Sequence, residues 1–288
     1  MSRVNALNVY QTEGTNVKAK LAEIYGEIIE NVQKNTISTL LKNKHLSGDF
    51  GAGSVEANRI ENASSKPYGT ARGNGKADTT KLKPVPVPLD KNRELLKEFE
   101  KYDLKRIGIV NLMTREKRNM QLAMERELET TFFQKAYDVG TEVIPTASET
   151  IKQIDEVILS IEKTKNQFVN GVPRALINVV CDPVVYQEIR DYLDTQTGNA
   201  NVDTSIEEFG KRNRVMYYSS VYIPNEAKVI VMVEESVAEP VNVDQYDANG
   251  TIPLSNATAD GFFYDYGCEG VMPDLIKFIA NETEEIDG

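Results

Sequence analysis

Apolar residues recur every third or fourth position over four stretches of the chain, and each such stretch predicts an amphipathic helix. The first, NVKAKLAEIYGEIIENVQKNTISTLLKNK, carries Val17, Leu21, Ile24, Ile28 and Val32 in that phase, breaks near Asn35 and Thr36, and is extended by Leu40 and Leu41. Nothing directly after it offers a partner, so its apolar face has to find a distant part of the chain or a neighbouring copy. The longest pattern, TREKRNMQLAMERELETTFFQKAYDVG, has Thr114 placed to cap its start and Gly140 to stop it. Met120, Met124, Leu128, Phe132 and Ala136 form an unbroken i, i+4 stripe along it, which reads as packing surface and not as a cofactor box. At 1.5 Å per residue this helix is a rod roughly 40 Å long. Further on, Thr146 and Glu149 have capping-box spacing ahead of Ile151, Ile154, Val157, Ile158 and Ile161. Asp182 caps a fourth helix, with Pro183 at its first position and Val185, Ile189 and Leu193 on one face.

Between the helices the period changes. ALINVVC, residues 175 to 181, is a continuous apolar run that predicts a buried strand, and RVMYYSSVYI, KVIVMVEES, VAEPVNVDQY and GFFYDYGCEGVM predict others. The fold class is therefore α+β, with a middle part that has its own core. Residues 46 to 83 are poor in large hydrophobes and cannot bury a core. SVEANRIE and KADTTKLK can pair there as the legs of a hairpin whose tip is the glycine-rich stretch between them. In KLKPVPVPLDK, Pro84, Pro86 and Pro88 stand at alternate positions, which suits either an edge strand that pairs on one side only or a stiff polyproline-like linker. DANG, residues 247 to 250, is a turn and not a calcium loop. Placing Gly250 at the required sixth position puts Gln245 first and Asn256 twelfth, where carboxylates are needed.

The glycine-rich stretch SSKPYGTARGNGKADTT first suggests a phosphate cradle. Five residues separate Gly69 from Gly75 and Ala77 follows Lys76, so both the spacing and the metal-binding hydroxyl of a nucleotide loop are missing. Charge gives the segment another meaning. The chain of 288 residues carries a net charge of -11, which opposes a dedicated role in binding DNA. Residues 63 to 83 nevertheless hold Lys66, Arg72, Lys76, Lys81 and Lys83 against Asp78 alone. A projecting basic loop on an acidic protein suits contact with another copy of the same protein, with Lys66, Arg72 and Lys76 at the tip.

Other chemistry is sparse. Cys181 and Cys268 stand apart, with no metal-ligand spacing, and read as buried small hydrophobes. The single histidine, His45, lies outside any nucleophile-elbow pattern and reads as a surface residue. The sequence therefore points to no catalytic, cofactor-binding or metal-binding residues. No apolar run approaches the roughly 20 residues of a membrane span, and the N-terminus lacks a signal-peptide layout, so folding in a cytosol is expected.

In order, these elements are a helical arm, a long hairpin, one very long helix and a mixed domain. EFEKYDLKRIGIVNLMTREKRNMQLAMERELETTFFQKAYDVGT resembles the strand and spine helix of the major capsid proteins of tailed bacteriophages, which have the Hong Kong 97-type fold. NGVPRALINVVCDPVVYQEIRDYL is similar to the axial domain of that family, and RVMYYSSVYIPNEAKVIVMVEES followed by FFYDYGCEGVMPDLIKFI is similar to its closing segments. The resemblance implies an N-terminal arm at 1–45, an extended loop at 46–90, a peripheral domain from 91–140 and 235–268, and an axial domain from 141–234 and 269–288. Met120, Met124, Leu128 and Phe132 would pack the spine helix.

The resemblance further implies a structural, non-enzymatic shell subunit. It would assemble with itself into hexamers and pentamers of an icosahedral virion capsid in the host cytoplasm, enclosing double-stranded DNA without reading its sequence. A portal and a decoration protein are the expected accompanying proteins. With Met1 so near the arm, a separate scaffold protein, or none, is expected in place of a fused one. A shell of the same fold around protein cargo, as in encapsulins, is the nearest alternative. A cytosolic α/β enzyme built on the middle part is a third, disfavoured by the absence of any grouping of base, nucleophile and metal.

Overall fold

The computed structural model describes residues 20, 22–34, 36–63, 81–195, 202–203, 211–243, 247–251 and 258–281. The chain divides into two compact units, one from 1–39, 90–128 and 241–266 and the other from 40–89, 129–240 and 267–288.

In the first unit, the helix over 22–34 buries Ile24, Tyr25, Ile28 and Val32. Its partner is distant in sequence: Met113, Met120, Met124 and Leu128 of the helix Ile109–Val139, together with Phe99, Tyr264 and Tyr266. The long helix begins earlier than its predicted cap. Gly108, at φ +84°, separates it from the short helix Lys101–Ile107, and Thr114 sits inside it, donating its hydroxyl to the Val110 carbonyl at 2.8 Å. It ends at Val139, directly before Gly140. The strand Thr258–Tyr266 runs antiparallel to Lys91–Phe99 over nine paired positions and also pairs with Val241–Val243 and Asp247–Thr251. The DANG segment is therefore a strand with a bulge between Ala248 and Gly250, not the turn its composition suggested.

The second unit is built on a seven-stranded sheet. In spatial order its strands are Thr141–Glu142, Ile276–Ala280, Ala227–Val233, Ile177–Cys181, Val215–Ser219, Lys211–Arg212 and Val202–Asp203. Ala227–Val233 lies antiparallel to both neighbours, and Ile177–Cys181 runs parallel to Val215–Ser219. All five residues of Ile177–Cys181 are buried, as expected of a strand covered on both faces. The helices Thr150–Glu162 and Pro183–Thr195 cover one face, inserting Ile151, Ile154, Val157, Ile158 and Ile161, and Val185, Ile189 and Leu193. The opposite face buries Val180, Ile230, Met232 and Ile276, and the Tyr137 and Phe278 rings meet there with centroids 4.5 Å apart.

Local caps explain the helix starts. Asp182 accepts from the Val184 N–H at 2.8 Å, with Pro183 at the first helical position. The capping box at Thr146 does not form: the helix starts at Thr150, and Glu156 reaches back to the Thr146 N–H and hydroxyl, each at 2.8 Å. A carboxylate nearly two turns inside the helix has taken the Thr146 N–H that the box would have given to Glu149, and has engaged the Thr146 hydroxyl as a donor. Arg212 makes a bidentate pair with Asp155 at 2.8 and 2.9 Å and donates to the Tyr217 hydroxyl at 3.3 Å. Burial pushes that phenol up to about 12, so it stays protonated and can itself donate.

Candidate functional site

The hairpin lies in the second unit as a small sheet of its own, separate from the seven-stranded one. Ser54–Ile60 pairs antiparallel with Leu82–Pro88, with Val55 opposite Val87 and Ala57 opposite Val85, and Leu46–Ser47 adds a short third strand. The second leg takes in Leu82 and Lys83 at the end of KADTTKLK and runs on through the proline-bearing segment, while residues 76 to 80 lie outside the described residues. The register explains why. Glu61 and Lys81 form a hydrogen-bonded pair at 3.3 Å, so alternation makes Val85 and Val87 the bonded positions and puts Pro84, Pro86 and Pro88 where no ladder donor is required. Leu82–Pro88 is an edge strand in its sheet, the first of the two forms that the proline spacing suits, and not a polyproline-like linker.

The root of the hairpin is fixed by apolar contact and close backbone approach. Val55, Ala57, Val87 and Leu89 are buried with Ala238 and Val271. Leu89 donates its N–H to Gly53 at 2.9 Å, and Gly53 has a positive φ of 74°. Gly267 lies so close to the hairpin that a Cβ there would be 1.9 Å from the Pro88 carbonyl oxygen. That approach explains why the run GFFYDYGCEGVM is not one strand: Thr258–Tyr266 ends at Gly267, and pairing resumes at Glu269–Gly270.

Farther out, polar contacts replace apolar ones. Arg59 continues the buried alternation of Val55 and Ala57. Its guanidinium stacks over the Phe168 ring, 4.2 Å from the centroid, and donates to Asp274 Oδ2 at 2.6 Å. Asn166 donates to the same oxygen. Burial opposes the Asp274 charge, but the hydrogen bonds from Arg59 and Asn166 outweigh it and hold the carboxyl below its usual value. Arg59 Nε and Asp274 Oδ1 are buried with no partner among the described residues. A backbone bond from the Asn62 N–H to the Gln167 carbonyl, at 3.0 Å, ends the anchorage. The signal for this node in the sequence was one charged residue in phase with a buried alternation; its partners are too far along the chain to be found by pattern.

The outward face of the hairpin presents Pro84, Pro86 and Pro88, and at its far end the exposed pair Ile60 and Leu82. Lys66, Arg72 and Lys76 lie outside the described residues. Met120, Met124, Leu128 and Phe132 are all buried on the long helix. His45 is exposed, with Nε2 3.4 Å from Glu235, and both cysteines are buried and form no disulfide. Among the described residues no group of three or more His, Cys, Asp or Glu side chains could hold a metal ion, and no helix is long and apolar enough to cross a membrane.

No family model and no curated protein matches the chain in sequence. Solved structures do match it. The capsid of cyanophage P-SCSP1u superposes with a TM-score of 0.59 at 12% identity, covering 84% of this chain and 86% of the other. The chain has a phage-capsid fold. A structure from Mycobacterium phage Che8 matches with a TM-score of 0.56 at 14% identity, covering 83% and 93%. A virus-like particle from Pyrococcus furiosus matches at 0.50 and 12% identity, covering 90% and 98%. Coverage of more than four fifths of the chain, at identities this low, means that the fold is shared while most side chains are not.

Proposed function

We propose that the chain is the subunit of a closed protein shell, the major capsid protein of a tailed phage. The observation that carries this reading is the capsid fold over more than four fifths of the chain. In this reading the units correspond broadly to the peripheral and axial domains of such a subunit, and hexamers and pentamers tile an icosahedral head in the host cytoplasm. The hairpin is the reaching element. Its outer face of prolines, with Ile60 and Leu82, is apolar surface that a neighbour would cover, and its basic tip would settle on an acidic neighbour by complementary charge. Many such weak contacts add by multivalency, so no single one has to be strong. A separate scaffold protein, a portal, a decoration protein and the packaged double-stranded DNA complete the proposed set of partners.

The virus-like particle of Pyrococcus furiosus supports a second reading, an encapsulin-like shell around protein cargo, because it covers nearly all of both chains. The basic tip tests what is common to both readings. Replacing Lys66, Arg72 and Lys76 by Glu is expected to abolish the fast-sedimenting assembled species while the melting temperature of the free subunit stays unchanged. Normal assembly by that variant would remove the loop from the account.

A further inference from the structure

The helix Ile109–Val139 divides its charges by face. Toward the strand Lys91–Phe99, Glu127 accepts from the Tyr266 hydroxyl at 2.6 Å and from Arg93 at 2.9 Å, and Glu116 pairs with Lys97 at 3.1 Å. Lys117, on the flank next to the arm helix, is taken up by Glu27. Turned away from these pairs, Arg115, Arg118 and Arg126 are exposed, and no carboxylate pairs with any of them among the described residues. At 3.6 residues per turn they fall within about a quarter of the helix circumference and span about 16 Å. Of the acidic residues from Asn111 to Thr130, Glu129 is buried and Glu116, Glu125 and Glu127 are half-buried, with Glu125, at the edge of the arginine stripe, accepting from Gln121 at 2.8 Å. Lys105 and Arg106, on the short helix just before, are exposed as well.

The strand completes the segregation. Arg93, Leu95, Lys97 and Phe99 face the helix, so alternation turns Asn92, Glu94, Leu96 and Glu98 to the other side, where they are exposed, with Asp265 opposite Asn92 in register. This layer is cationic on its helix side and anionic on its sheet side, in a chain whose net charge is -11. Arginine, with its planar fork of donors, is the cation best shaped for phosphate. A docking protein helix would need a row of apolar anchors, and the arginine face offers one large apolar side chain, Leu122, at 45% exposure.

We propose that this arginine face is where the protein meets the phosphate backbone of double-stranded DNA, by charge alone and without reading bases. It rests on the shell reading only for what brings DNA to that side. Attraction over one stripe of an otherwise repelling molecule makes the contact weak and exchangeable, which suits DNA that has to be packed and later released.

The test is fluorescence anisotropy of a labelled short duplex with the full-length protein at low salt. Replacing Arg115, Arg118 and Arg126 together by Gln is expected to weaken binding about tenfold or more and to flatten the log–log salt dependence by about three. The matching Lys triple variant keeps the charge and is expected to bind within about threefold of the parent, which separates loss of charge from loss of fold. Glu94→Gln with Glu98→Gln, on the opposite face, is expected to leave affinity the same or higher. Absence of duplex binding by the parent, or a Gln variant with unchanged affinity and salt slope, overturns the proposal. Tighter binding of a polyglutamate chain of matched charge would assign the face to an acidic protein segment and overturn it too. Failure of the shell reading would appear separately, as a lack of particles by electron microscopy.

Discussion

The sheet-centred core and the hairpin belong to the same unit and are held in different ways. Around the sheet, two helices insert eight apolar side chains against strands of which the central one, Ile177–Cys181, is buried at every residue, and the opposite face is closed by Val180, Ile230, Met232 and Ile276. Every layer there has apolar partners, so stability comes from area removed from water. The hairpin root buries four residues, Val55, Ala57, Val87 and Leu89, against Ala238 and Val271, and farther out Arg59 meets Asp274 and Asn166, with two buried polar atoms unpaired among the described residues. A half-satisfied polar node is a weak anchor. The difference teaches where a subunit can afford to adapt: the sheet region is complete in itself, whereas the hairpin exposes prolines and an apolar pair whose burial needs another surface.

The contrast can be broken most forcefully in the sheet. Ile154→Ala, at a site with no exposure, is expected to cost about 2–5 kcal/mol in denaturant unfolding, with no relief from neighbours that cannot collapse into the gap. A cost near zero would mean that the core is loosely packed and the contrast unfounded. At the root of the hairpin, Gly267→Ala drives a methyl group into the Pro88 carbonyl and is expected to cost about 1–3 kcal/mol. Its signature is local: hydrogen exchange should accelerate in Ser54–Ile60 and Leu82–Pro88 while Ile177–Cys181 stays protected.

The polar node gives the smallest effect. Arg59→Met is expected to cost about 1–2 kcal/mol, mainly by leaving the partly buried Asp274 carboxylate with Asn166 as its remaining donor. The same carboxyl sets a pH dependence. Its folded value lies below the unfolded one, so its contribution is complete above the unfolded Asp value of about 4 and fades as pH falls through the folded value. Hairpin exchange should therefore accelerate in acid, and Asp274→Asn should remove that acid dependence. Acid acceleration that persists unchanged in Asp274→Asn would place the sensitivity elsewhere.

The sequence made the sheet region legible because its signals are local. The phase of Ile151 to Ile161, the unbroken apolar run before Cys181 and the Asp182 cap with Pro183 each need only their own neighbourhood. The hairpin was half legible: alternating prolines suited an edge strand or a stiff linker, and the partner depended on register. The Arg59 node was hidden because Arg59 and Asp274 stand 215 positions apart and no periodicity joins them. The start of the long helix was misread for a related reason, since Thr114 has cap chemistry but Gly108 supplies the actual break. The arginine face had a sequence signal, Arg115, Arg118 and Arg126 out of phase with Met120 and Met124, yet its neutralised flank becomes visible only when Lys91–Phe99 is paired beside it.

Electron microscopy of the purified full-length protein, alone and coexpressed with its neighbouring structural proteins, tests the central claim most directly. The account predicts closed shells of uniform diameter built from this subunit. Monomers that persist under every condition, with those neighbours present, would contradict it.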